Sequence, residues 1–162
     1  MIEESDRVVL AARALTLARE EPATDLRERI AIVPFTLDGS TYAIEILLVR
    51  QVVESGSIAP VPGARPEFLG VTTYHGGMLG VIDLRVALGR ASRAARARHL
   101  LILGEGRAEL GLLADAIADP TDVVIGEMVP WPKGHRLVRG VTPDGRLVLA
   151  GRDLLAGIGA TA

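Results

Sequence analysis

At 162 residues the chain is long enough to bury a self-supporting core, and it fits one domain or two small sub-domains. It contains no cysteine, which excludes disulfides, thiolate metal sites and cysteine nucleophiles. A formal charge of −2 gives no global basic footprint, and the only rings are two Phe, two Tyr and one Trp, too few for a platform that stacks single-stranded nucleic acid. The 18 glycines require a fold with many turns.

The opening Met1-Ile-Glu-Glu-Ser-Asp6 is acidic where a secretory leader is basic, so no targeting segment is expected. Residues 4–20 read as a helix, with Ser5 or Asp6 as cap and Val8, Ala11, Ala12, Leu15 and Ala18 on one face. Pro22 ends it, because the residue before a proline is pushed out of helical geometry.

From Ile30 the pattern turns to short apolar runs broken by turns, the signature of strands. The run from Ile32 to Leu37, then Asp38-Gly39, then Thr41 to Ile46, is a hairpin with Asp-Gly turn chemistry. Pro34 places its strand at an edge or a bulge. A second hairpin runs from Phe68 to Tyr74, turns at His75-Gly76-Gly77, and returns over Met78 to Ile82. Asp83 then caps a single helical turn that ends at Gly89.

These elements recur. Gly70-Val-Thr72 and Gly140-Val-Thr142 stand 70 residues apart, each followed by a turn and an apolar run. Leu100 to Leu103 and Leu110 to Ala114 echo the first hairpin, and the leucine pairs Leu84 with Leu88 and Leu154 with Leu155 close the two halves. Order and spacing point to two related halves, read as two small β-barrels.

Motifs in this order resemble the CheW-type coupling domain of bacterial chemotaxis, over about Ile30 to Leu155. The likeness rests on Phe35 to Ile46, Val49-Arg-Gln-Val52, Pro60-Val-Pro62-Gly63, Phe68 to Gly76, Val81-Ile-Asp83-Leu84-Arg85 and Leu110 to Ile117. It implies an all-β fold of two five-stranded SH3-like barrels, preceded here by a short N-terminal α-helix. The expected organisation is a helix and linker over 1–24, the double-barrel domain over 25–157 with halves at about 30–89 and 99–157 whose strands are free to exchange, and a tail over 158–162.

The resemblance further implies a non-catalytic adaptor without cofactor or metal, which bridges the cytoplasmic tip of methyl-accepting chemoreceptors to the regulatory domain of the histidine kinase CheA. It implies a cytoplasmic protein recruited to membrane-associated receptor arrays, without insertion into the membrane. Partner-facing positions carry over to Val49, Gln51, Gly70, His75, Gly76, Gly111, Ile117, Pro120 and Gly140. Three depart from the family pattern: Gln51 stands where Glu is usual, His75 where Arg is usual, and Pro120 where an aliphatic residue is usual. Ala150-Gly151 likewise replaces an Asp-Leu pair near the end. A divergent scaffold in another signalling complex is therefore the second reading.

Other features carry less. His75, His99 and His135 lack metal-ligand spacing, and Asp83 and Asp115 read as a cap and a turn rather than a hydrolase pair. Five arginines from Arg85 to Arg98, without an acid, read as a solvated connection, with a small-barrel nucleic-acid binder as the remote alternative. Trp131, between two prolines, is open to crevice packing or to a role as an interface anchor.

Overall fold

A computed structural model describes residues 27–91 and 97–159. The helix expected over 4–20 lies outside them. Eleven strands form among the described residues: β1 (Arg29–Leu37), β2 (Ser40–Glu45), β3 (Val49–Glu54), β4 (Phe68–Tyr74), β5 (Gly77–Ile82), β6 (His99–Leu103), β7 (Leu110–Ala114), β8 (Ala116–Ile117), β9 (Thr121–Val124), β10 (Val138–Val141) and β11 (Leu147–Leu149). Two α-helices accompany them, α1 (Leu84–Ala87) after β5 and α2 (Gly151–Gly159) after β11, with single 3-10 turns at Ile46–Leu48 and Ile125–Glu127.

The strands make two mixed sheets. One has six strands in the order β10-β11-β2-β1-β8, with β9 also on β1, and the other has five in the order β3-β6-β7-β5-β4. Both sheets draw on both halves of the chain. Parallel pairs join the halves, with Val81 opposite Gly111 in one sheet and Leu147 opposite Tyr42 in the other.

The expectation of two closed five-stranded barrels is corrected, and none of the described helices stands ahead of the sheets. Neither sheet closes, the strand numbers are six and five, and the two described α-helices each follow the second strand of a hairpin. The reason for the open seam is visible at the outer strands. Ala59 makes one isolated bridge to Val71 of β4, and Val129 makes the equivalent bridge to Val141 of β10. Pro60 and Pro62 follow the first bridge and Pro130 and Pro132 the second, and a residue without an N–H cannot extend a ladder.

Pro34 lies inside a central strand, yet its missing N–H costs nothing. On the far side of β1, β9 pairs with Arg29 to Ile32 and β8 with Phe35 and Thr36. Val33 and Pro34 therefore face three residues, 118–120, which is a bulge, and the Pro34 carbonyl accepts from the Ala118 N–H at 2.9 Å.

One apolar core joins the sheets. Phe35, Leu37, Tyr42 and Ile44 from the six-stranded sheet pack with Ile82, Leu101, Leu103 and Leu112 from the five-stranded one, all at most 1% exposed. Alternation along β6 sends Leu101 and Leu103 into this core, and Leu100 and Ile102 into a smaller cluster with Leu79, Val81 and Leu113. Each such side chain contributes roughly 1.5–3 kcal/mol on burial, so the shared core welds the two sheets into one body.

Candidate functional site

Two hairpin turns have the same geometry. Asp38 and Gly39 have φ of 51° and 79°, and His75 and Gly76 have 48° and 78°, so each pair occupies the two left-handed positions of a tight hairpin turn. The second turn carries the candidate surface. The Tyr74 and His75 rings stack with centroids 4.1 Å apart and planes 10° from parallel, and the Tyr74 hydroxyl donates to Gln51 Oε1 at 2.5 Å. Gln51 is on β3 and Tyr74 on β4, the two outer strands of the five-stranded sheet, so this bond ties together edges that share no ladder. Met78, 68% exposed, stands beside the turn opposite Thr73.

The structure thus brings Gln51, His75 and Gly76 to one exposed end of the five-stranded sheet. Val49 begins β3 opposite Leu103 and is half-buried against the core. Ile117 and Pro120 belong elsewhere, on the six-stranded sheet. Ile117 is half-buried opposite Phe35, and Pro120 is exposed in the bulge facing Val33 and Pro34.

Three of the expected positions are buried glycines whose roles follow from space. A Cβ on Gly70 would sit 2.0 Å from the Ala59 carbonyl oxygen, and its φ of +149° is one that L residues rarely adopt. Gly140 holds the equivalent place at 3.1 Å from the Val129 oxygen, and Gly111 meets the Leu100 side chain at 3.0 Å. These glycines admit neighbouring segments and present no side chain to a partner.

The carboxylates form a structural network. Asp83 and Arg85 are 0% and 1% exposed; Arg85 donates through Nε and Nη2 to the two Asp83 oxygens at 3.1 and 3.2 Å, and through its backbone N–H to Oδ1 at 3.0 Å. Arg85 Nη1 also reaches Asp38 Oδ2 at 4.0 Å, the Asp38 N–H donates to Asp115 Oδ2 at 2.7 Å, and Arg90 donates to Ser40 Oγ at 2.9 Å. The first hairpin turn is thereby pinned to α1 and to the corner between β7 and β8. Both Asp83 oxygens are taken, so the side chain is an anchor rather than a base.

Arg85, grouped from its sequence with a solvated arginine run, is thus one of the most buried residues, because Asp83 two positions earlier supplies its counter-charge. Arg93 and Arg96 lie outside the described residues. Trp131 is half-buried against the main core, which is crevice packing. Sequence reasoning passed over Met78 as a surface feature, although a Met directly after a glycine turn was the available signal.

Exposed charge elsewhere is ordinary. On α2, the Arg152 guanidinium is held above its usual pKa by a hydrogen bond from its Nε to Glu105 at 2.7 Å, by the charge of Glu105, and by that of Glu45. Among the described residues no group of three or more His, Cys, Asp or Glu side chains is placed to hold a metal ion. No described helix is long and apolar enough to cross a membrane.

Comparison with known proteins gives a consistent result. The profile of the CheW-like domain matches residues 31–150. A probable chemotaxis protein CheW from Rhizobium etli is 28% identical over 103 residues, covering 63% of this chain and 66% of that protein, so the chain spans just under two thirds of that relative's length. Chemotaxis protein CheW from Thermotoga maritima is 22% identical over 77% of this chain and 85% of its own. The crystal structure of the scaffolding protein TtCheW from Thermoanaerobacter tengcongensis superposes with a TM-score of 0.63 at 25% identity, covering 75% of this chain and 89% of that one. With three quarters of its length matched by that profile, the chain belongs to the CheW-like domain family, the scaffold proteins of chemotaxis, which are adaptors without a catalytic centre.

Proposed function

We propose that this protein is the adaptor that couples methyl-accepting chemoreceptors to the regulatory domain of the histidine kinase CheA, in the cytoplasm, at membrane-associated receptor arrays. The observation that carries the reading is the gathering of Gln51, Tyr74, His75 and Gly76 at one exposed end of a sheet, while Ile117 and Pro120 occupy the other sheet of the same rigid core. Two separate surfaces on one body are what holding two partners requires. Affinity that differs between partner states then transmits a signal without chemistry.

Co-sedimentation of the purified chain with receptor cytoplasmic fragments and CheA, with each omitted in turn, tests the proposal. A complex requiring all three is expected. Absence of that complex with cognate partners sinks the proposal and favours a scaffold in another signalling complex, the reading motivated by Gln51, His75 and Pro120. His75→Arg restores the permanent charge and planar fork of the family residue, and it strengthens partner binding if the turn makes the contact. Unchanged affinity removes His75 from the contact surface.

A further inference from the structure

The 70-residue repeat places Arg65 and His135 at equivalent points, each three residues ahead of a strand. The Phe68 N–H donates to the Arg65 carbonyl and the Val138 N–H to the His135 carbonyl, both at 3.0 Å. Between these two turns lies a cavity of about 130 Å³ with an apolar wall that includes Ile82, Leu137 and Leu154, and with Arg65, Glu67, His135 and Arg136 as its polar lining. It is the seam where the two halves of the chain meet α1 and α2.

The polar lining combines two exposed arginines with a half-buried histidine and a half-buried carboxylate. Neither Arg65 nor Arg136 makes an ion pair among the described residues. Gly157 of α2 also lines the cavity, and the place its Cβ would take is 3.3 Å from both Nη1 and Nη2 of Arg136, so the guanidinium rests where a side chain would otherwise stand. His135 Nδ1 accepts from the Leu137 N–H at 3.1 Å, which leaves the neutral ring's proton on Nε2 as a donor. Glu67 offsets one of the two fixed positive charges and leaves a net excess of one.

We infer that this seam binds a small free oxyanion of the inorganic phosphate class, held by the guanidinium forks of Arg65 and Arg136 and the Nε2–H of His135. Guanidinium forks match tetrahedral oxyanions bidentately, and the cavity admits a small ion. A bound anion would bridge the first half through Arg65 to the second through Arg136. The site is independent of the adaptor proposal, and its test uses neither kinase nor receptor.

Titration calorimetry of the full chain with inorganic phosphate, at ionic strength held constant with chloride, is expected to give a saturable one-to-one isotherm. At ten times Kd the thermal midpoint should rise by about 3–6 °C over the chloride control. Arg65→Gln and Arg136→Gln should each weaken binding by about tenfold. Glu67→Gln removes the opposing charge and should tighten binding several-fold, a gain that misfolding cannot produce. No saturable heat, unchanged affinity in both arginine variants, or binding of a phosphoserine peptide without binding of inorganic phosphate overturns the assignment.

Discussion

Arg85 and Asp83 form a two-pronged ion pair inside the protein, with Nε on Oδ1 at 3.1 Å and Nη2 on Oδ2 at 3.2 Å, while both residues are at most 1% exposed. A pair this deeply buried gains little over well-packed apolar residues, because desolvation offsets most of the attraction. Its value is geometric: one carboxylate caps α1, and the guanidinium it holds reaches the Asp38 turn of the other sheet.

Breaking that pair from one side should be costly. Asp83→Asn takes both direct carboxylate bonds from the buried guanidinium, leaves it only the more distant Asp38 carboxylate at 4.0 Å, and removes a charged cap, so urea unfolding should show a loss of about 3–5 kcal/mol. A loss under about 1 kcal/mol would mean that the arginine swings to solvent or to Asp38 instead.

The repeat supplies an internal control for glycine. Gly70→Ala forces a Cβ to within 2.0 Å of the Ala59 oxygen at φ +149°, whereas Gly140→Ala meets the Val129 oxygen at 3.1 Å with no positive φ. Strain at such a φ costs about 1–3 kcal/mol before the clash is counted. Gly70→Ala should therefore destabilise by about 3 kcal/mol or more and Gly140→Ala by about 1 kcal/mol, as read from denaturation midpoints. Equal losses would refute the spatial argument.

Tyr42 offers a change in the other direction. The residue is fully buried, stacked on Phe35 with centroids 5.6 Å apart, and its hydroxyl has no hydrogen-bond partner among the described residues. An unsatisfied buried hydroxyl costs about 1–3 kcal/mol, so Tyr42→Phe should leave stability unchanged or raise it by about 1 kcal/mol. A clear loss in thermal denaturation would reveal a partner that the hydroxyl acquires in solution.

At the second turn, His75 has φ +48°, which Asn tolerates and β-branched residues resist. His75→Asn should preserve stability and His75→Val should cost about 1–2 kcal/mol. Tyr74→Phe removes the bond to Gln51 across the sheet edges, and since that bond is exposed its loss should cost under about 1 kcal/mol. If the proposed surface is used, however, Tyr74→Phe should weaken partner binding more than it weakens the fold, which paired binding and unfolding measurements would separate.

The chain itself dictated whatever depends on near neighbours. Asp38-Gly39 and His75-Gly76 announced hairpins because only certain residues accept two left-handed positions in a row. The 70-residue recurrence of Gly-Val-Thr announced two related halves, and Asp83 ahead of an apolar turn announced its cap. Tertiary structure alone decided how these pieces combine. Pro60 and Pro62 stood out only as part of a motif and Pro130 and Pro132 only as the neighbours of Trp131; that they stop each sheet from closing depends on which strand edge they approach. Arg85 reads as one more arginine of a basic run until its buried partners are in place. The Gln51–Tyr74 bond joins residues 23 positions apart across two strand edges, and the cavity between Arg65 and Arg136 exists only where the two halves fold against each other. Turn chemistry and periodicity act within a few residues, whereas desolvation, strand order and the meeting of distant side chains are set by the packed whole.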